Sequence, residues 1–284
     1  MLRLFGGEPC CVARPDDVRG KMPEVQTSAD AVAAFCALVV GWMAVWFVLG
    51  YFTNSLIIAR FPMDPQARKI AVNKAVALLH AVYATAHATY YHNFFAYDEP
   101  SQAYHCSEST WRSWRRIWPA GFVGYLVLDF VMEIRKGKPG VLMLVHHAVF
   151  TAVALISMAY EKGCKQYTVT LMSEASTVVF VARWFFIKTG QSQALIKASE
   201  ILFAALFFVL RVIFFGHGTW ISLTEDPEVF ADASVWQVVP TMYIIGYVMQ
   251  LWWMYEIVLM AVRPKRSPSS SSKKKEEDGD KKQS

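Results

Sequence analysis

The chain has 284 residues, of which 55% are hydrophobic and 14% aromatic, whereas only 18% are charged. This composition excludes an ordinary soluble domain, in which charged residues make up about a quarter of the chain and cover its surface. The formal net charge is modest, at +5, and we expect no nucleic-acid partner. The composition therefore predicts an all-α, polytopic membrane protein.

Apolar runs long enough to cross a bilayer follow one another along the chain. A hydrocarbon core about 30 Å thick requires roughly 20 apolar residues per helix. Runs near this length predict a bundle of about seven transmembrane helices, at 31–53, 70–91, 118–133, 141–160, 167–187, 194–215 and 238–262. The third is predicted to begin near Pro119, because the first turn of a helix tolerates proline.

Both ends of the chain are polar. Residues 1–30 show no cleavable signal, so we expect the first helix, which with its loop occupies 31–66, to insert as its own signal. Residues 67–262 are predicted to form one helical domain. The low-complexity segment 263–284 is charged, has no apolar anchor and is predicted to be a disordered tail.

The distribution of Lys and Arg predicts the orientation of the bundle. Basic residues concentrate on the side that carries the 263–284 tail, which places this tail in the cytosol and the 225–232 loop in the lumen. Lys281 and Lys282 then resemble the dilysine signal that coat proteins read on the tails of endoplasmic reticulum membrane proteins. Such an address adds no membrane affinity. The sequence therefore predicts an endoplasmic reticulum protein with a cytosolic C-terminus.

The same orientation places most of the cysteines in the lumen. Cys10, Cys11, Cys106 and Cys164 lie on that side, whereas Cys36 lies in the first span. An oxidising compartment permits a disulfide, for example between Cys106 and Cys164. The sequence does not fix the pairing. Unpaired cysteines, or acylation of Cys10 and Cys11 on a cytosolic tail, fit equally well.

Two histidines share a polar stripe in the second span. Asn73, His80, His87 and Tyr91 are spaced so that all four lie within about 40° on a helix. Such a stripe either hydrogen-bonds the neighbouring helices or lines an interior cavity. In the third span, Asp129 lies deep enough that its carboxyl group must be protonated or matched with a histidine or an arginine.

His146 and His147 open the fourth span and point about 100° apart. One can face a cavity while the other bonds a neighbouring helix, both can flank one cavity, or both can face lipid headgroups. In the fifth span, Glu174 and Arg183 lie on nearly opposite faces, so Glu174 needs a partner on another helix, such as a histidine. Arg183 is expected to extend towards the cytosolic surface.

The order of these motifs is similar to that of the TLC-domain family, which includes ceramide synthases and translocation-associated proteins. A Tyr-Leu-x-x-Asp helix comes first, a His-His pair opens the next helix, and a Glu-x-Ser-Thr…Arg-Trp helix follows. The resemblance covers about residues 67–262 and is greatest to members outside the ceramide synthase branch. It implies a six-helix core that encloses an acyl tunnel.

The resemblance also implies a candidate catalytic site. In ceramide synthases the histidine pair and two later aspartates are assigned to acyl transfer from acyl-CoA to a sphingoid amine. Here His146 and His147 match the pair, with Asp129 or Glu174 to orient them. Glu174 takes one aspartate position, but Thr177 takes the other.

This departure favours a membrane protein of lipid homeostasis that binds a lipid or an acyl chain, with His80, His87 and Arg183 as lipid-binding residues. An acyl-CoA-dependent N-acyltransferase, with the pair as base or acyl acceptor, is the alternative. A zinc or iron site that combines His146 or His147 with Glu174 and with His80 or His87 is chemically feasible, but we predict neither a metal nor a cofactor. A homo-oligomer is compatible with the sequence.

Overall fold

The computed structural model describes residues 29–95, 108–135, 140–160, 169–224 and 238–263, and every regular element within these ranges is helical. The helices, in chain order, are α1 (Ala29–Arg60), α2 (Pro65–Phe95), α3 (Glu108–Arg135), α4 (Val141–Tyr160), α5 (Glu174–Lys188), α6 (Gln193–Leu206, continued by Phe207–Phe214 and Phe215–Thr224) and α7 (Val238–Val262). The predicted all-α bundle is confirmed.

Four stretches are long and apolar enough to cross a membrane by length and composition: Ala33–Arg60, Val169–Lys188, Gln193–Trp220 and Val238–Val262. α4 contributes a shorter apolar stretch, Val141–Leu155. α2 and α3 are more polar, but their 31 and 28 residues exceed the roughly 20 that a bilayer requires. The helices together fit a membrane bundle.

The predicted start of the third helix is wrong. α3 begins at Glu108, so Pro119 lies inside the helix rather than in its first turn. The residues between Glu108 and Pro119 are polar and aromatic, and a search for apolar runs cannot find helical turns of that composition. α1, α2 and α6 also extend beyond their predicted apolar runs, for the same reason.

Six of the helices form a closed ring. Its order is α2, α3, α4, α7, α6 and α5, with each helix packed on the next and α5 packed on α2. α1 packs on α2 and α3, and only 11% of its most apolar 18-residue stretch is buried. α1 therefore lies against the outside of the ring, and the order around the ring differs from the order along the chain.

Small residues bring α1 close to its two neighbours. A Cβ atom added at Gly50 would overlap the side chain of Val76 on α2. On the other side, the indole N–H of Trp46 donates a hydrogen bond of 2.8 Å to the carbonyl oxygen of Gly121 on α3. Close backbone approach at glycine is a common way for membrane helices to gain packing contacts.

The middle of α6 is a π-helix. It spans Phe207–Phe214 and carries Arg211, whose side chain is buried. π-helical segments are rare, usually interrupt an α-helix, and frequently occur at functional sites. This irregular segment faces α5 and α7, so it positions a charged group inside the ring.

Candidate functional site

His147 and Asp129 form a buried pair between α4 and α3. His147 Nε2 lies 2.8 Å from Asp129 Oδ2, and His147 Nδ1 lies 2.8 Å from the carbonyl oxygen of Met143. A carbonyl oxygen only accepts hydrogen bonds, so Nδ1 is the donor, and the proton between Nε2 and the carboxyl group is shared by the pair. The imidazole, which is only 3% exposed, is thereby held in one orientation.

His146 points in another direction. Its ring is perpendicular to that of His147, with the ring centroids 5.5 Å apart, and lies 5.2 Å from the Trp253 ring on α7. Among the described residues, His146 Nδ1 is a buried atom without a hydrogen-bond partner. Of the arrangements expected from the sequence, one histidine bonding a neighbouring helix is observed, since His147 pairs with Asp129 on α3. That the other histidine faces a cavity stays a prediction.

Arg211 is the centre of a second polar group, which joins α5, α6 and α7. Its Nη2 donates to Glu174 Oε1 at 3.1 Å and to Thr177 Oγ1 at 2.8 Å. Its Nε donates to Ser176 Oγ at 2.8 Å, and its Nη1 donates to Gln250 Oε1 at 3.2 Å. The arginine is only 6% exposed. All three guanidinium nitrogens are therefore satisfied by side chains of neighbouring helices.

This arginine was missed as a site residue by sequence reasoning. Its signal is visible, because a cation inside an apolar run is costly in a membrane and usually turns inward. Its partners are not visible, since they lie on α5 and α7. The sequence predicts a partner for Glu174 on another helix, such as a histidine. In the structure that partner is Arg211 on α6.

His80 on α2 is held by aromatic rings. It stacks on Tyr125 of α3, with the centroids 3.6 Å apart and the planes 6° apart, and it lies edge-on to Trp46 of α1 at 5.8 Å. The residue is 1% exposed. Within the described ranges, neither of its ring nitrogens has a hydrogen-bond partner.

These groups lie near one another. Tyr125 is within electrostatic range of four charged side chains: Asp129, Glu133, Glu174 and Arg211. His146 is in turn within range of His147 and Arg211, and His80 is within range of His147. We call this set the inner cluster, and its members are His80, Tyr125, Asp129, His146, His147, Glu174 and Arg211. Residues of α2, α3, α4, α5 and α6 contribute to it.

Two predicted lipid-binding residues lie apart from the inner cluster. Arg183 Nη2 is 3.8 Å from Glu200 Oε2 on α6, and both side chains are partly exposed. His87 lies on α2 about 10 Å farther along the helix axis than His80. The stripe predicted on α2 therefore contributes His80 to the cluster, while His87 lies nearer the end of the helix.

Some predictions concern residues that lie outside the described ranges. Cys10, Cys11, Cys106 and Cys164 belong to this group, as do Lys281 and Lys282. Cys36 on α1 is described and is a free, exposed cysteine. In the part of the chain that the structure describes, no three His, Cys, Asp or Glu side chains are placed to hold a metal ion.

The closed helical ring, with its charged groups gathered among apolar helices, defines a polytopic helical membrane protein. Residues 70–259 match the family model of the TLC domain of TRAM, LAG1 and CLN8 proteins. The chain belongs to this family, as predicted from its motifs. The match begins in α2 and ends in α7, so it coincides with the six-helix ring and leaves out α1. No curated protein matches the chain.

Proposed function

We propose that this protein binds a lipid or an acyl chain between the helices of the ring and acts in lipid homeostasis. The observation that carries the proposal is the inner cluster itself. Ionisable side chains inside a membrane are costly and usually face a functional interior. In this protein, His80 stacks on Tyr125, the charges of Asp129, Glu174 and Arg211 act on Tyr125, and Asp129 in turn pairs with His147 on α4. A polar centre enclosed by apolar helices suits an amphipathic ligand, since lipid sites combine apolar walls with a few polar groups.

The alternative is an acyl-CoA-dependent N-acyltransferase, and one observation favours it. Both ring nitrogens of His147 are engaged by Asp129 and Met143, whereas Nδ1 of His146 has no partner among the described residues. In this reaction the amine nitrogen attacks the thioester carbonyl, the C–N bond forms and the C–S bond breaks. His146 takes the proton from the amine and passes it to the departing thiolate. The Asp129–His147 pair positions His146 rather than reacting itself.

Lipid mass spectrometry tests the proposed function. Cells that lack the protein are complemented with the wild type, with His146→Ala plus His147→Ala, or with His217→Ala as a control at an exposed position of α6, at matched protein levels. We expect the wild type and the control to restore the lipid profile, and the double variant to fail. Full restoration by the double variant would contradict a role for the pair.

Turnover separates the two functions. Transfer from acyl-CoA to a sphingoid base or a lysolipid by the purified protein would establish the enzyme. Binding of a lipid without turnover supports the non-enzymatic function.

We also propose that the protein resides in the endoplasmic reticulum membrane with residues 263–284 in the cytosol. The basic residues near the membrane support this orientation. Lys281 and Lys282 support the compartment, because they stand where coat proteins read a retrieval signal.

A further inference from the structure

Two imidazoles of the inner cluster have polar atoms that the protein leaves without a hydrogen bond. In His80 these are both ring nitrogens, and in His146 the atom is Nδ1. Whatever its protonation state, an imidazole carries at least one N–H donor. A buried donor or acceptor without a partner costs free energy, and native proteins contain few of them. Among the described residues, such atoms also occur in Asn54, Thr85, Arg183 and Tyr243. His80 and His146 are the two that belong to the inner cluster, where the head of a ligand would supply the missing hydrogen bonds.

The His80 ring is fixed even though its nitrogens are not hydrogen-bonded. Stacking on Tyr125 at 3.6 Å sets its plane, and the edge contacts to Trp46 limit its rotation. A close face-to-face stack on one side and an edge contact on another restrict the orientation of the ring without using its polar atoms. The nitrogens are therefore presented in a fixed direction, as preorganised binding groups require.

The charges nearby decide which kind of ligand fits. Those that act on Tyr125 come from three carboxyl groups and one guanidinium group: Asp129, Glu133, Glu174 and Arg211. The guanidinium nitrogens are already engaged by four side chains. Asp129 and Glu174 are matched by His147 and Arg211, and Arg211 has no guanidinium nitrogen left for a phosphate or a carboxylate, so an anionic head would enter without a matching charge and is disfavoured.

A cationic head is disfavoured as well. Asp129 is paired with His147 at 2.8 Å, and Glu174 is paired with Arg211 at 3.1 Å. An ammonium group would have to displace one of these existing partners. A hydroxyl group needs no such displacement, since it both donates and accepts and so complements either nitrogen of an imidazole.

We propose that His80 and His146 bind the head of an uncharged lipid that carries a hydroxyl group, of which a diacylglycerol is the simplest probe. This inference rests on the proposed lipid-binding function and specifies the class of ligand. The hydroxyl group hydrogen-bonds the imidazoles, and the acyl chains lie between the apolar helices of the ring.

Native mass spectrometry of the full-length protein in detergent tests the inference. The probes are dioleoylglycerol and dioleoylphosphatidic acid, which share their acyl chains and differ in the charge of the head. We expect dioleoylglycerol to bind at least about tenfold more tightly. His80→Phe, which keeps the ring stacking, and His146→Phe should each weaken its binding by about five- to tenfold, the loss of one hydrogen bond. The matched control, His217→Phe on the exposed face of α6, should bind like the wild type.

Thermal unfolding shows whether a variant that loses lipid binding is still folded. Because His80→Phe removes unpartnered polar atoms without opening a cavity, it should unfold at the same temperature as the wild type or above it. If that variant does not fold, His146→Phe provides the same comparison.

The outcomes separate this inference from the proposed function. Equal or tighter binding of dioleoylphosphatidic acid, or unchanged dioleoylglycerol binding by the phenylalanine variants, overturns the inference. In the second case the imidazoles are satisfied by internal water. If neither probe binds and dioleoylphosphatidylcholine does not bind either, the proposed lipid-binding function fails with it.

Discussion

At the scale of single residues, two largely buried pairs join helices of the described ring. Asp129 meets His147 across α3 and α4, and Glu174 meets Arg211 across α5 and α6. Leaving one member of a buried pair alone is costly, whereas replacing both with apolar groups is often tolerated. The sequence identified three of these four residues as site candidates. It could not identify Arg211 as the partner of Glu174, because the two residues are far apart along the chain.

Removing the arginine should therefore destabilise the bundle. Arg211→Met leaves the largely buried Glu174 carboxylate without its partner, and we expect a loss of about 3 kcal/mol in the free energy of unfolding, at the lower end of the range for buried pairs. Adding Glu174→Gln should recover part of this loss. The free energy of unfolding is measured by unfolding the purified protein in detergent with heat or with denaturant.

Arg183→Met is the matched control, because the partly exposed Arg183–Glu200 pair at 3.8 Å should contribute at most about 1 kcal/mol. Equal destabilisation by both substitutions would show that the network around Arg211 contributes no more to the free energy of unfolding than the partly exposed Arg183–Glu200 pair.

At the scale of helices, the apolar runs located the elements but not their ends or irregularities. α3 begins at Glu108, before the apolar run starts, and the π-helix Phe207–Phe214 interrupts α6 without a recognisable signal. Hydropathy reports which part of a helix lies in lipid, whereas the helix itself continues into water. The position of α1 against α2 and α3 depends on close contacts at glycine.

A bulky side chain at Gly50 should separate α1 from the ring. In Gly50→Leu the new atoms would overlap Val76 of α2, and overpacking of this kind costs about 1–3 kcal/mol. We expect a lower midpoint of thermal unfolding and faster proteolysis of α1. Gly41→Leu is the control on the same helix, because nothing lies within 4 Å of a Cβ atom there. Identical behaviour of the two variants would contradict the packing described for α1.

At the scale of the whole molecule, the closed ring decides which polar residues meet. α4 contacts α7, and α2 contacts α5, although neither pair is adjacent in the chain. The ring coincides with the residues that match the TLC domain, and α1 is an addition to it. With seven membrane-crossing helices, the two ends of the chain would lie on opposite sides of the membrane, so the proposed orientation can be tested from one end.

The tail lysines provide that test. In Lys281→Ser plus Lys282→Ser, the retrieval signal is removed, and we expect the protein to move from the endoplasmic reticulum to later secretory compartments in fluorescence microscopy. The control, Lys273→Ser plus Lys274→Ser, removes the same charge from the same tail and should leave the protein in place. Unchanged localisation of the first variant would remove the support for retrieval.

The sequence by itself determined that the protein is an all-α membrane bundle of the TLC-domain family, and it singled out His80, Asp129, His146, His147 and Glu174. These conclusions depend on local properties, since hydropathy, helical period and motif order are read along one stretch of chain at a time. Only the tertiary structure decided that His147 pairs with Asp129, that Arg211 holds Glu174, and that His80 stacks on Tyr125. Each of these contacts joins two helices, and which helices meet is set by the packing of the whole ring, which no single segment encodes.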